Sequence, residues 1–289
     1  MAVVELPGLP NLGRLYARTL GSLVDPRGRP DALPDRAVEV ADVEVRADHV
    51  ADYADVCGFR LADEVPVTYP HLLGFPLSVH LMAAGDFPFP LPGLVHVAQR
   101  VRQSASIRVG DRLDVRVTAG DLRQHRRGRQ FDVVTDIARD GASVWTGTST
   151  YLRRERAGDG AGSSGGRDHE AAQADASSAT LRLPADLGRR YGAVSGDRNP
   201  IHLHPLTARL AGFPRPIAHG MWTAARCVAA VDEHLRGTAD LEVAFKQPVP
   251  LPSVVRLRTA RTRAGWRFSL HDRSGARLHL TGTLDREKG

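Results

Sequence analysis

A repeat constrains this chain more than any other feature. Residues 74–153 and 212–285 pass through the same order of local signals. Each copy opens on Gly-Phe-Pro, at Gly74-Phe75-Pro76 and Gly212-Phe213-Pro214. Each continues through an apolar, helix-like stretch to a strand-like piece, VHVAQRV over 95–101 and LEVAFKQPV over 241–249. Three alternating segments close each copy, over 111–119, 130–138 and 143–153 in the first and 253–262, 265–272 and 276–285 in the second. Val, Thr, Phe, Trp and Leu alternate there with Arg and Asp, the period-two pattern of antiparallel strands with one face in a core. Turn triplets separate them: Arg-Arg-Gly at 126–128, Arg-Asp-Gly at 139–141, Arg-Ala-Gly at 263–265 and Arg-Ser-Gly at 273–275. The order predicts an α+β fold in which one helix lies across an antiparallel sheet, built twice and paired within one chain.

The stretch 155–180 is rich in Gly, Ala, Ser and Asp and nearly empty of large apolar residues. It cannot bury enough surface to fold and reads as a flexible linker or long surface loop. The expected units are therefore 1–154, a linker over 155–180, and 181–289. The plainest helix, 218–234, is apolar on most sides with Arg226 an exception. A helix apolar nearly all round belongs in a core.

Composition removes several classes. The chain has 289 residues, 42% hydrophobic and 25% charged, which fits one large or two moderate globular domains and excludes a disordered or fibrous chain. It has no run of about 18 apolar residues, so no membrane-spanning helix is expected. Two cysteines, Cys57 and Cys227, exclude a disulfide framework and a four-cysteine zinc site. With no basic leader ahead of an apolar block, they point to a reducing cytoplasm. The net charge of +6 rests on 39 basic residues, of which only Lys246 and Lys288 are lysines. No nucleic-acid-binding motif accompanies that charge, so nucleic acid is not an expected partner. A basic surface equally suits a phosphate-bearing cofactor or an acidic carrier protein.

The chemistry concentrates in residues 191–221, YGAVSGDRNPIHLHPLTARLAGFPRPIAHGM. Turn formers fill its first third: Ser195, Gly196, Asp197, Asn199 and Pro200. His202 follows, then a short helix-like piece, a second turn, and His219-Gly220 at the start of the buried helix. Asp197 and His202 are thus expected in a loop facing that helix start.

This segment closely resembles the hydratase 2 signature of the MaoC-like dehydratases, a hot-dog-fold family. The resemblance rests on Tyr191, on Ser195-Gly196-Asp197-Arg198-Asn199-Pro200-Ile201-His202, on Ala208, and on Gly212-Phe213 through Pro216-Ile217 to His219-Gly220-Met221. The two-copy organisation resembles the double-hot-dog members and extends the likeness over most of the chain. It implies reversible addition of water to a trans-2-enoyl thioester, giving an (R)-3-hydroxyacyl thioester on CoA or acyl carrier protein. It implies Asp197 and His202 as the catalytic pair and the Gly220 N–H as donor to the developing enolate oxygen. Ser195 and Asn199 would then brace the loop. No metal and no redox cofactor is implied, and a homodimer is as compatible with the pattern as a monomer.

The residue types suit that chemistry. A neutral histidine accepts a proton near neutral pH, and a carboxylate positions water and shares it. A helix N-terminus offers unpaired N–H groups and a positive dipole end, and glycine lets a thioester approach closely. Duller roles stand beside each assignment. Asp197 and Asn199 are also ordinary turn formers. His219 reads as shaping the helix start or touching substrate, and His204 as a surface or packing histidine. A His202/His204/His219 zinc set has suitable residue types but no matching spacing. Arg126 and Arg127, with Arg123 and Arg129, form a hairpin tip that could meet a phosphate of CoA or an acidic carrier. Cys227 reads as packing. Two rival functions remain from sequence: a non-catalytic acyl-thioester-binding protein and a hot-dog thioesterase.

The first copy offers Tyr53-Ala54-Asp55-Val56-Cys57-Gly58 where the second has its signature. One active site per chain is expected, with the first copy as scaffold and acyl pocket. Phe75 to Val97 also spans eight residues fewer than Phe213 to Val243, and Pro88, Pro90 and Pro92 fall in that span. Proline stops helices, so a shortened helix and a cavity for a long or bulky acyl chain are expected. The alternative is that Phe87, Phe89 and Leu91 refill the space.

Overall fold

The computed structural model describes residues 1–21, 29–154, 177–231 and 237–286. Five strands of the first copy, β2 (Arg36–Glu44), β3 (Leu94–Gln103), β4 (Arg112–His125), β5 (Gly128–Arg139) and β6 (Ala142–Arg154), run in the spatial order β2-β4-β5-β6-β3. Those of the second, β7 (Ser177–Leu183), β8 (Ala239–Phe245), β9 (Ser253–Arg261), β10 (Gly265–Asp272) and β11 (Leu278–Asp285), run β7-β9-β10-β11-β8. The two orders are the same, so the sequence repeat is a structural repeat. β3 and β8 pair antiparallel from Ala98↔Ala244 to Gln103↔Ala239 and fuse both copies into one continuous sheet. β1 (Ala2–Glu5) adds a parallel edge strand beside β2, giving eleven strands among the described residues.

The predicted strands lie where alternation placed them, each extended or trimmed by a few residues. The linker assignment needs one change. Residues 155–176 lie outside the described residues, but 177–180 open β7 and pair with β9. Their small polar side chains hid an edge strand, which needs backbone partners more than side-chain burial.

Helices repeat as well. α2 (Ala47–Cys57) matches α4 (Leu187–Ser195), and α3 (His71–Met82) matches α7 (Gly220–Ala229). The helix expected over 218–234 thus begins at Gly220; its described part is buried except for half-buried Gly220, Arg226 and Ala229. The shortened first-copy helix is not observed. α3 has 12 residues against 10 in α7, and nearly all of them are buried. Gly74-Phe75-Pro76 lies inside α3, whereas Gly212-Phe213-Pro214 lies in the loop before α7. Aligning the copies on Gly-Phe-Pro therefore misplaced the helix start. The three prolines come after the helix has ended, and they return the chain so that Phe87 and Phe89 pack on Phe131, with ring centroids 5.2 and 5.5 Å away. Both rings are buried, so the space expected as a cavity there is refilled.

One apolar cluster runs through both copies, from Val38 to Leu284. Trp222 of α7 fastens them, its indole N–H donating to the Val56 carbonyl at 2.8 Å. Tyr53 of α2 faces Tyr191 of α4 at 6.5 Å between ring centroids. Both helices stop at a left-handed glycine, Gly58 (φ 78°) and Gly196 (φ 71°), a conformation that suits a residue without Cβ. Phe59 follows the first and Asp197 follows the second, which is where the copies part in chemistry. Among the described residues no helix is long and apolar enough to cross a membrane.

Candidate active site

After Gly196 the chain turns sharply. Asn199 caps α5 (Pro200–Leu203), its Oδ1 accepting from the Ile201 N–H at 3.4 Å, with Pro200 in the first turn where a missing N–H costs nothing. His202 lies on α5. His204 caps α6 (Pro205–Leu210), its Nδ1 accepting from the Leu206 N–H at 3.2 Å, and so has a local structural task. His219 stands at the cap position of α7. α4 presses this loop inward because two of its residues lack side chains. A Cβ on Gly188 would lie 2.0 Å from the His202 carbonyl oxygen, and one on Gly192 2.8 Å from that of Asp197.

The result is a compact cluster. Asp197, His202 and His219 each bring one ligand-type atom within 4.8 Å of the others. The rings of His202 and His219 stack with centroids 3.7 Å apart and planes 26° apart. His202 Nδ1 lies 2.7 Å from the Ile217 carbonyl oxygen, which assigns its proton to Nδ1 and leaves the Nε2 lone pair open. His219 Nε2 donates to the Asp197 carbonyl oxygen at 2.9 Å and stands 3.8 Å from Asp197 Oδ2. Its Nδ1 is buried with no partner. The Asp197 N–H donates to Ser195 Oγ at 3.2 Å, and that hydroxyl donates to the Tyr191 carbonyl at 2.9 Å. Asp197 Oδ1 accepts from the Asn199 N–H at 3.1 Å and from the Tyr16 hydroxyl at 2.8 Å.

Burial sets the protonation states. Burial pushes the Asp197 carboxyl up, but the His219 and His202 imidazoles, the Tyr16 hydroxyl and the Asn199 N–H outweigh it and hold the group below the usual carboxylate range. Burial lowers His202, against the opposing pull of Asp197 and the Ile217 carbonyl. Burial and then His202 depress His219 to about 3. The cluster is therefore an ionised carboxylate beside two neutral imidazoles at neutral pH.

Gly220 is the first residue of α7, where helix N–H groups have no intrahelical partner. The cap residue His219 supplies no side-chain hydrogen bond to them, so this helix start is uncapped. A Cβ on Gly220 would press on the Phe245 ring at 3.3 Å. Two of the four imidazole nitrogens in the cluster already bond carbonyls, which leaves His202 Nε2 and His219 Nδ1 facing the site.

Arg126 and Arg127 are exposed at the β4–β5 hairpin tip. Their neighbours are engaged locally. Arg123 pairs with Asp121 and Asp132, and Arg129 lies over the Phe89 ring at 4.7 Å. Among the described residues, the contacts of the Asp197 cluster come from other elements.

Sequence reasoning missed the first copy's share of this site. Tyr16 lies on α1 (Leu12–Gly21), His71 on α3, His96 on β3 and Tyr151 on β6. The Asp197 charge acts on all four. Burial holds His71 at about 4 and His96 at about 3. A row of rings leads away from Gly220: Phe245 to His96 at 4.9 Å, His96 to Tyr151 at 5.0 Å, Tyr151 to Phe131 at 5.7 Å, then Phe89. None of these residues belongs to a short motif. Only the 3–4 spacing of Leu12, Leu15 and Tyr16 signalled a helix face that must pack on something.

Residues 169–277 match the profile of the MaoC like domain. The chain is 38% identical over 277 residues to 3-hydroxyacyl-thioester dehydratase X of Mycobacterium tuberculosis, covering 96% of this chain and 97% of that protein. A crystal structure of HtdX from the same organism superposes with a TM-score of 0.77 at 36% identity, over 87% of this chain and all of that one. A MaoC-like dehydratase from Phytophthora capsici shares the fold, with a TM-score of 0.71 at 17% identity over 89% of this chain and 96% of its own.

Proposed function

The chain belongs to the MaoC-like dehydratase family, with its double-hot-dog fold, and is a hydro-lyase; we propose that it interconverts trans-2-enoyl and (R)-3-hydroxyacyl thioesters. One observation carries the reading: an ionised carboxylate, Asp197, and a neutral imidazole, His202, meet beside the uncapped start of α7 at Gly220.

In the hydration direction a water molecule sits between Asp197 Oδ2 and His202 Nε2. Nε2 takes one proton as the hydroxyl adds to C3. The C2=C3 electrons move onto the thioester carbonyl, and the Gly220 N–H stabilises the resulting enolate oxygen, aided by the α7 dipole. The captured proton then passes to C2, so the elements of water are added and the side chains are restored. Dehydration is the reverse. Side chains and one backbone donor complete this chemistry, so the proposal includes no metal and no redox cofactor. Ser195 and Asn199 hold the loop, and His219 holds the Asp197 backbone. The acyl group is carried on CoA or acyl carrier protein, and Arg126 and Arg127 are assigned to that carrier's side. Two buried free cysteines fit a reducing cytoplasm. A homodimer and a monomer are both compatible with the site, which one chain completes.

The test follows the enoyl-thioester absorbance of crotonyl-CoA together with free thiol. Loss of absorbance without thiol release, giving the (R)-3-hydroxy product, supports the hydratase. Thiol release would replace it with a thioesterase. Binding without turnover of either the CoA ester or the corresponding acyl carrier protein ester would replace it with a binding protein.

A further inference from the structure

The Asp197 carboxylate is held by a residue from the other end of the chain. Tyr16 and Asp197 are 181 positions apart, yet the Tyr16 hydroxyl donates to Asp197 Oδ1 at 2.8 Å. The helix that brings it, α1, is seated on both copies. Leu12 and Leu15 are buried with Val79 of α3, and Phe75 and Leu91 pack against them. Leu12 also fills the space over Gly196, where a Cβ would lie 2.5 Å from its Cδ1. That contact sits on the residue immediately before Asp197, so α1 bears on the loop as well as on the carboxylate.

The two carboxylate oxygens are not equivalent. Oδ1 receives two donors, the Asn199 N–H and the Tyr16 hydroxyl. Oδ2 faces the His219 ring across 3.8 Å. Two donors on one oxygen fix the carboxylate plane, whereas the Asn199 N–H alone would leave the group free to swing. The phenol suits this task because burial and the adjacent carboxylate keep it protonated, hence always a donor. Resting on the assignment of Asp197 to the proton-transfer pair, we propose that Tyr16 is a positioning residue that locks Asp197 Oδ1 and leaves Oδ2 as the oxygen that works on water.

A competing role for the same contact is occlusion, with the phenol standing where the substrate hydroxyl must go. The two roles predict opposite signs. Hydrogen bonds to a charged group are worth enough that losing one typically changes a rate or equilibrium by about tenfold or more. In Tyr16→Phe the ring and its packing remain and only the donor goes. Besides Tyr16, the titratable groups coupled to Asp197 among the described residues include His202 and His219, which act on it, and His71, His96, Tyr151 and Tyr191, on which its charge acts; all are unchanged by this substitution.

The experiment compares full-length wild type and Tyr16→Phe in two measurements. In turnover of crotonyl-CoA, the variant should lose about tenfold in kcat with KM nearly unchanged. In carbon-13 spectra of carboxyl-labelled aspartate, with Asp197 assigned by the signal lost in Asp197→Asn, its titration midpoint should rise by about one unit. An unchanged midpoint overturns the proposal even if kcat falls, because packing alone would then explain the loss. A rise in kcat overturns it in favour of occlusion. The spectra need no turnover, so an inactive wild type would count against the proposed reaction while the midpoint still judges the Tyr16 contact.

Discussion

The rings of His202 and His219 stack 3.7 Å apart, and one of them also holds the Asp197 backbone. Charging either ring would cost desolvation, and charging both would add repulsion at close range. The stack therefore keeps His202 in the form that accepts a proton. Because the folded His202 is lowered below its ordinary value, the neutral form persists as pH falls through about 6.5. The acid limb of kcat/KM should lie below that pH. A pH–rate profile checks this, and a midpoint at or above 7 would contradict the neutral-base assignment.

Gly220 gives a prediction that separates chemistry from folding. The nearest atoms an alanine Cβ there would meet are on the edge of the Phe245 ring, at 3.3–3.5 Å, a contact that a small ring shift relieves. Gly220→Ala should therefore fold with nearly unchanged thermal stability. The methyl group would stand in the path of the thioester oxygen, so kcat/KM should fall by about the 10²–10³-fold seen when an oxyanion donor is lost. Equal loss of stability and activity would assign the glycine to packing.

The row of rings from Phe245 to Phe89 fills the direction in which a cavity was expected. Phe89→Ala should cost about 3–5 kcal/mol of stability, read from denaturant unfolding. It should also raise the ratio of kcat/KM for a long-chain over a four-carbon enoyl-CoA, because the truncated ring frees room at the end of the row. An unchanged ratio would mean that the acyl chain takes another route.

Buried neutral histidines also give the fold an acid-side weakness. His71 and His96 are held at about 4 and about 3, whereas in the unfolded chain each takes a proton near 6.5. Below that pH the unfolded state binds more protons, so stability declines as pH falls from about 6.5 towards 4. The slope is at most about 1.4 kcal/mol per pH unit for each group. Unfolding free energies measured across this window should show the decline, and His71→Asn should flatten it. A slope identical to wild type would contradict the burial account.

Much of this molecule is legible in its sequence. Half-exposed antiparallel strands alternate visibly, which is why eight of the eleven described strands fell near their predicted ranges. The contiguous segment from Tyr191 to Met221 pointed to the Asp197–His202–Gly220 set, because local turn chemistry and the candidate catalytic residues share one stretch. What stayed hidden was set by long-range packing. β7 is too polar to announce itself, and Gly-Phe-Pro sits inside a helix in one copy and before one in the other. Tyr16, His71 and His96 have no local signature, since their role comes from what lies across the interface between the copies.

The proposed reaction requires Asp197 and His202 together to move the proton, with the thioester held at Gly220. The most direct measurement is the hydration rate of crotonyl-CoA by Asp197→Asn and His202→Ala beside wild type, with circular dichroism confirming that each variant is folded. The account predicts that either substitution lowers kcat by about 10²–10⁴-fold, the range of a lost general acid or base, and that the double variant is little worse than either single one. Folded variants that keep wild-type rates within a few-fold would contradict it.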